Sequence, residues 1–167
     1  LEYFCLAFCS SVNGSLFLCG IVICNYEQEV AKYCIKTNKP ILGICCGCIN
    51  MALSTGGSIS LENYEYLKEK HFSLENMDMH SVSIDRDSKL YNLIKEDKFI
   101  VNSIHKCKID NPGEYKVKGN SEDGIIELLE YEGDNFNIGV QWHPEFITDK
   151  EEQNMIFEKF IKYIINK

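Results

Sequence analysis

An α/β fold with a doubly wound, mostly parallel sheet is predicted by a strand–helix–strand pattern in the first part of the chain. Residues 15–19 (Ser-Leu-Phe-Leu-Cys) and 41–44 (Ile-Leu-Gly-Ile) are short apolar runs, which are typical of buried parallel strands. Between them, residues 26–37 carry apolar side chains at helical spacing, and Asn38-Lys39-Pro40 ends this helix. Such a unit belongs to a parallel sheet that helices cover on both faces.

The remaining sequence alternates further strand and helix patterns. A helix is predicted over residues 46–54, with Gly56-Gly57 after it, and the polar residues 61–76 indicate an irregular surface segment or a short helix. Five strands and two helices follow, with the strands at 80–84, 99–102, 115–118, 125–130 and 135–142, a helix at 87–95 that starts at Asp87 or Ser88, and an amphipathic helix at 150–165. No repeat or linker appears, so a single domain is predicted over residues 1–167.

Composition and charge narrow the class of protein. The net charge of −8, with no basic stripe, argues against a nucleic-acid partner. Nine cysteines, an odd number without regular spacing, favour a reducing compartment, and we therefore expect a cytoplasmic location. The apolar residues 1–24 are interrupted by a polar break at 10–15 and lack a basic start, so neither a signal peptide nor a membrane span is expected. The chain begins at Leu1, which leaves open that an amino-terminal part is missing.

Cys45 has the local sequence of an activated nucleophile. It lies where the strand at 41–44 turns into the helix at 46–54, and Gly43 and Gly47 allow a tight bend there, as in the nucleophile elbow of hydrolases. A helix N-terminus next to the sulfur would stabilise the thiolate and direct backbone N–H groups at a developing oxyanion. The alternative is a buried structural cysteine in a strand-to-helix turn.

A second motif supplies a base and a carboxylate. His143 follows a predicted strand, at the edge of an α/β sheet where ligand sites collect. Pro144 restricts the backbone, and Glu145 is close enough in sequence to hold one ring nitrogen of His143. Together with Cys45, these residues predict a cysteine–histidine–glutamate site for nucleophilic catalysis.

The order of four motifs resembles the class I glutamine amidotransferase superfamily. Within it the chain is most similar to the γ-glutamyl-γ-aminobutyrate hydrolase branch, peptidase family C26. The motifs are Pro40-Ile-Leu-Gly-Ile-Cys45, Val101-Asn-Ser-Ile-His105, Glu122-Asp-Gly-Ile-Ile-Glu127 and Gly139-Val-Gln-Trp-His-Pro-Glu145. The resemblance covers about residues 12–147 and implies a three-layer α/β/α, flavodoxin-like domain.

The resemblance also implies roles for individual residues. Cys45 would be the nucleophile, His143 the base and acid, and Glu145 the residue that orients His143, in the cleavage of a γ-glutamyl amide of a small molecule through a thioester. Residues 13–20 resemble the family's Asp-Gly-x-x-x-Pro-Gly-Gly segment, which implies oxyanion donors at the backbone N–H groups of Gly20 and Cys46. The turn formed by Ser103, Ile104 and His105 would lie against the glutamyl group. No cofactor or metal is implied, and a homo-oligomer remains open.

Several residues depart from the family pattern. Cys46 replaces the Arg after the nucleophile, and Ile49 replaces a Gln whose amide helps to hold the glutamyl group. Lys106 and Cys107 replace a second His and Gln, and residues 1–11 are too short for the family's first strand and helix. Two alternatives to an active hydrolase therefore stay open: a catalytically impaired or truncated paralogue, and a glutaminase subunit that delivers ammonia to a synthetase.

A redox or metal function is a further alternative. Cys45-Cys46-Gly47-Cys48 contains a Cys-x-x-Cys, but zinc would need two more ligands, and the sequence shows no second Cys-x-x-Cys and no closely spaced His pair. His80 is interpreted as structural or exposed, His105 as close to the site, and His71 receives no role.

Overall fold

The computed structural model of the protein describes residues 4–8, 17–62 and 64–165. Nine strands lie in this part of the chain, at Phe4–Phe8 (β1), Ile41–Cys45 (β2), Ser58–Ser60 (β3), His80–Ile84 (β4), Lys98–Val101 (β5), Lys108–Asn111 (β6), Lys116–Ser121 (β7), Ile126–Glu130 (β8) and Asn137–Val140 (β9). The α-helices in these residues are Phe17–Lys36 (α1), Cys46–Ser54 (α2), Tyr64–Lys70 (α3), Lys89–Ile94 (α4) and Glu151–Ile165 (α5), with a short 3₁₀ helix at Pro144–Phe146.

Seven strands form one mixed sheet in the order β1-β2-β9-β8-β7-β4-β5. The β1–β2 and β2–β9 pairs are parallel, whereas the other four neighbouring pairs are antiparallel. The prediction of a mostly parallel sheet is therefore correct only for one end of it. The strands β7, β8 and β9 are joined by short turns or loops, and such connections favour antiparallel neighbours. The remaining strands, β3 and β6, form a separate two-stranded antiparallel ribbon.

Helices pack on both faces of the large sheet, which confirms the three-layer α/β/α class. One core cluster contains residues of α1 and α2, and the other contains residues of α4 and α5. Adjacent residues of one strand point to opposite faces. Accordingly, Leu128 of β8 belongs to the cluster with α4 and α5, and Leu129 to the cluster with α1 and α2.

The strand predicted at 15–19 is wrong. Residues 17–19 lie in α1, residues 15–16 lie outside the described residues, and the strand of the predicted unit is β1 instead. β1 runs parallel to β2, with Phe8 opposite Cys45, so the strand–helix–strand unit itself is present. The error has a simple cause, because a short apolar run suits a buried helix as well as a buried strand.

Most other predicted elements are confirmed within one to three residues at their ends. The strand at 80–84 has the predicted bounds, and Ser88 is the N-cap of α4, where its hydroxyl accepts the N–H of Tyr91 at 2.9 Å. The ribbon strands β3 and β6 were not predicted. Among the described residues, no helix is both long and apolar enough to span a membrane.

Candidate active site

The backbone at Cys45 is bent into a conformation that residues other than glycine rarely adopt. Cys45 ends β2 and directly precedes α2, with φ of 50° and ψ of −102°. Backbone strain of this kind costs about 1–3 kcal/mol and is concentrated at functional sites. The predicted elbow is therefore present, and Cys45 lies at its apex with 6% of its surface exposed.

Gly43 lets α2 begin this close to β2. A Cβ atom on Gly43 would lie 2.8 Å from the backbone carbon of Gly47 and 2.3 Å from the sulfur of Met51. Both distances are shorter than a van der Waals contact, so a larger residue would push the helix away from the strand. The glycine pattern noted in the sequence thus has a steric reason.

The first residue of α2 is Cys46, so its backbone N–H lies at the helix N-terminus beside the bend. This position suits the predicted oxyanion donor. The side chain of Cys46 is partly exposed, and its sulfur accepts the amide of Asn50 at 3.6 Å. Asn50 also donates to Glu27 at 2.5 Å, so this part of α2 is held to α1.

Gly20, the second predicted oxyanion donor, does not follow a strand. It lies in the first turn of α1. The strand end that is paired with Cys45 is Phe8, because β1 and not residues 15–19 lies beside β2. The assignment of Gly20 as an oxyanion donor came from the resemblance of residues 13–20 to a family segment, and it stays a prediction.

Gln141 contacts the thiol from the neighbouring strand. β2 and β9 are parallel, with Ile44 opposite Val140, so Cys45 and Gln141 leave the same edge of the sheet. The Gln141 side chain is fully buried and donates to the sulfur of Cys45 at 3.8 Å. No role was predicted for Gln141 from the sequence. Its place in the Gly139–Glu145 motif, one residue beyond the strand pairing, could have indicated one.

His143 and Glu145 form the predicted pair. Nδ1 of His143 lies 2.7 Å from Oε1 of Glu145. The imidazole is buried and stacks on Phe146 with ring centroids 5.3 Å apart, whereas the Glu145 side chain is 32% exposed. A carboxylate can only accept, so this contact places a proton on Nδ1 and assigns proton exchange to Nε2.

Asn102 fixes the backbone of His143. Its amide oxygen accepts the His143 N–H at 2.9 Å, and its amide nitrogen donates to the His143 carbonyl at 2.8 Å. Asn102 is fully buried and directly follows β5. Asn102 lies in a family motif, but the sequence did not indicate this contact, because it joins residues that are 41 positions apart.

The residues predicted to bind the glutamyl group are buried in the loop after β5. Ser103 is completely buried, Ile104 forms a β-bridge with Phe72, and His105 is 3% exposed. The Nδ1 atom of His105 contacts the carbonyl of Cys107 at 3.0 Å. In the structure these three residues contact other residues of the protein. Substrate binding by them stays a prediction.

Ile49, the other notable departure from the family pattern, lies in the core. It lies in α2, belongs to the core cluster that contains residues of α1 and α2, and is 8% exposed. An apolar side chain fits this position, and it offers no hydrogen bond to a substrate.

A family model described as Peptidase C26 matches residues 25–145, which include the elbow and the His143–Glu145 pair. The chain belongs to the peptidase C26 family. Among curated relatives, a γ-glutamyl-γ-aminobutyrate hydrolase of Escherichia coli K12, PuuD, is 31% identical over 147 residues, which are 81% of this chain and 58% of the relative. Protein NtpR of Enterococcus hirae is 30% identical over 145 residues, which are 82% of this chain and 60% of NtpR. This C26 chain thus spans about 60% of the length of these relatives.

Solved structures support the fold. A glutamine amidotransferase from Thermotoga maritima aligns with a TM-score of 0.57 at 17% identity, over 93% of this chain and 66% of that one. At this low sequence identity, the similarity shows the fold alone. It agrees with a class I glutamine amidotransferase-like, flavodoxin-like architecture for this C26 member.

Proposed function

We propose that this chain hydrolyses γ-glutamyl amide bonds in small molecules, through a thioester on Cys45. The observation that carries the proposal is the strained elbow at Cys45, at the end of a strand whose parallel neighbour leads into the bonded His143–Glu145 pair. Membership in the peptidase C26 family and similarity to a γ-glutamyl-γ-aminobutyrate hydrolase support the choice of bond.

In the first half of the reaction, the sulfur of Cys45 attacks the carbonyl carbon of the amide. The thiol proton passes to Nε2 of His143, and Glu145 stabilises the imidazolium through Nδ1. The backbone N–H of Cys46 would bind the oxyanion at the start of α2. The carbon–nitrogen bond then breaks, the amine leaves with the proton from His143, and a thioester remains.

In the second half, water attacks the thioester. His143 accepts a proton from the water and returns it to the leaving sulfur, so the carboxylic acid is released and the Cys45 thiol is restored. The amide and one water molecule thus give an acid and an amine, and no redox step or cofactor enters this balance. The Gln141 amide would stabilise the thiolate in both halves, because its N–H points at the sulfur.

A catalytically impaired paralogue is the second candidate, and Ile49 favours it. The family pattern has a glutamine there, whereas Ile49 packs into the core cluster that contains residues of α1 and α2. Such a protein would keep an activated thiol but hold a glutamyl group weakly.

Mass spectrometry after exposure to a glutamine-derived diazo-ketone separates the two candidates. The matched variants are Cys45→Ser, which removes the proposed nucleophile, and Cys46→Ser, which removes the neighbouring thiol. We expect one adduct on Cys45 in the wild type and in Cys46→Ser, and none in Cys45→Ser.

The comparison with iodoacetamide, which carries no glutamyl group, completes the design. Labelling of Cys45 by iodoacetamide without labelling by the diazo-ketone would support the impaired paralogue. An adduct on Cys46 that persists in Cys45→Ser would overturn the nucleophile assignment.

A further inference from the structure

Three of the chain's four histidines meet at one buried carboxylate. They come from separate segments: His71 follows α3, His80 begins β4, and His105 lies in the loop after β5. One ring nitrogen of each lies 3.5–3.6 Å from the same oxygen, Oε1 of Glu127 in β8. These four residues are called the histidine cluster below. Their inner nitrogen and oxygen atoms all lie within 4.8 Å of one another.

The outer ring nitrogens have their own partners. Nε2 of His71 lies 2.9 Å from the carboxylate of Asp123, Nδ1 of His105 lies 3.0 Å from the Cys107 carbonyl, and Nδ1 of His80 lies 3.4 Å from the Ser81 carbonyl. Carboxylate and carbonyl oxygens only accept, so each outer nitrogen carries the proton. In a neutral ring the inner nitrogen then presents a lone pair to the centre of the cluster. Protein metal sites orient their histidine ligands in this way.

The inner atoms are buried and poorly satisfied. Glu127 is 0% exposed, His71 1% and His105 3%, and His80 lies at the edge with a side chain that is 12% exposed. Within the described residues, both carboxylate oxygens of Glu127 and the Nε2 atoms of His80 and His105 have no hydrogen-bond partner. A buried carboxylate in this state needs a positive charge to offset its desolvation.

We propose that the histidine cluster binds one divalent transition-metal ion, with zinc as the best match to its ligands: His71, His80, His105 and Glu127. Zinc binds imidazole nitrogen and carboxylate oxygen at about 2.0–2.2 Å in a tetrahedron, whose edges are then about 3.3–3.6 Å. The three nitrogen–oxygen separations of 3.5–3.6 Å match these edges, whereas the inner ring nitrogens, which lie within 4.8 Å of one another, would draw closer together when the ion binds. Four protein ligands leave no open position, so the ion would have a structural role.

The ion would connect the loop after β5 to the large sheet. His105 lies three residues after Asn102, which holds the backbone of His143. The Glu127 carbonyl accepts the N–H of Gln141 at 2.8 Å, and the Gln141 side chain contacts Cys45. The proposed metal site therefore supports both parts of the candidate active site, but it does not depend on the proposed hydrolysis.

The test uses the whole chain, stripped with a chelator, desalted, and returned to one equivalent or an excess of zinc chloride. Elemental analysis by mass spectrometry should find about one zinc per chain after a second desalting, and the melting temperature should rise with zinc concentration. His105→Ala and Glu127→Gln should lose the bound zinc. His143→Ala, which removes the fourth histidine, should keep it.

Two less disruptive variants test zinc binding in case His105→Ala or Glu127→Gln fails to fold. His80→Ala alters the partly exposed edge of the cluster and should weaken zinc binding while circular dichroism stays like that of the wild type. Asp123→Asn keeps all four ligands but removes the carboxylate behind His71, so it should weaken zinc binding about 10- to 100-fold.

Cobalt(II) distinguishes the histidine cluster from the cysteines of the elbow. Tetrahedral cobalt bound by nitrogen and oxygen should show visible absorption without an intense sulfur-to-cobalt band. A sulfur-to-cobalt band that disappears in Cys45→Ser would assign the metal to the thiols and overturn the proposal. A folded wild-type protein that retains no zinc and gains no thermal stability from it would show that the cluster is a proton-linked network instead.

Discussion

The parallel end of the sheet and its antiparallel part hold two different polar centres. Cys45, Gln141 and the His143–Glu145 pair follow the carboxyl ends of β2 and β9, which run parallel. The histidine cluster draws on β4 and β8 in the antiparallel part and on the loops at residues 71 and 105. Parallel strands bring successive carboxyl ends to one edge, so they suit a site with a directed nucleophile.

The two centres also differ in how they are stabilised. The elbow stores backbone strain at Cys45, and its His143–Glu145 pair is partly open to solvent at Glu145. The histidine cluster shows no such strain at its four residues, but it buries a carboxylate among imidazoles. Backbone strain is concentrated at functional sites, whereas a structural ion needs buried, converging ligands. The comparison predicts that the elbow determines chemistry and the cluster determines stability.

The largest effect is expected for Cys45→Ser. Removal of the nucleophile should lower kcat/KM on a γ-glutamyl anilide by at least about 10³-fold, because the hydroxyl is far less nucleophilic than the thiol here. The melting temperature with zinc present should remain within a few degrees of the wild type. Cys46→Ser is the matched control and should keep kcat/KM within about tenfold. A Cys45→Ser protein that still turns over while Cys46→Ser does not would reverse the two roles.

Asn102→Leu tests the residue that links the two centres. It leaves the buried N–H and carbonyl of His143 without their partners, at a cost of about 1–3 kcal/mol each, so the free energy of unfolding should fall by about 2–6 kcal/mol. Urea denaturation at fixed zinc concentration measures this change. Asn154→Leu, on the exposed face of α5, is the control and should change the value by less than about 0.5 kcal/mol. Equal stability of the two variants would show that Asn102 does not hold His143.

Local signals were sufficient to predict the elbow. The strand at 41–44, the helix at 46–54 and the glycines around Cys45 lie within 14 residues, and steric rules connect them directly. The His143–Glu145 contact was predictable for the same reason, since only Pro144 separates its partners in the sequence. Site geometry follows from sequence where the interacting groups are close in the chain.

The histidine cluster could not be predicted in this way. Its ligands are separated by up to 56 residues, from His71 to Glu127, and come together only through the order of the strands and the loop after β5. His71 and His80 alone have the sequence context of ordinary surface or core residues, and the motif that contains His105 indicates a substrate-binding turn and not a metal ligand. The prediction of a strand at residues 15–19 was wrong for another reason. The apolar run there is too short for its periodicity to distinguish a buried strand from a buried helix.

Cys34 provides a contrast between the elbow thiol and a thiol of the core. Burial raises the pKa of Cys34 to about 11, against a smaller lowering by Lys39. An ordinary thiol has a pKa of about 8.5. At pH 8, Cys34 should therefore have at least about 100-fold less thiolate than an ordinary thiol, and it should react with iodoacetamide correspondingly more slowly than an ordinary thiol does. Between pH 7 and 9.5 its rate should rise about tenfold per pH unit, because the thiolate fraction does. Peptide mapping measures this, and early labelling of Cys34 at pH 8 would mean that α1 opens readily.

The smallest effect is expected for Glu145→Gln. The Glu145 side chain is 32% exposed, so solvent screens its attraction to the imidazolium. In the variant, the glutamine carbonyl can still accept a hydrogen bond from the Nδ1–H of His143. We expect kcat to fall about tenfold with little change in KM, because Glu145 orients His143 and does not touch the substrate. Glu145→Ala removes the acceptor and should lower kcat further, while zinc content stays at the wild-type value in both variants. If neither substitution changes kcat, His143 is held by Asn102 and Phe146 alone, and the carboxylate has no part in the reaction. Loss of zinc in either variant would instead show that the two centres are not separate.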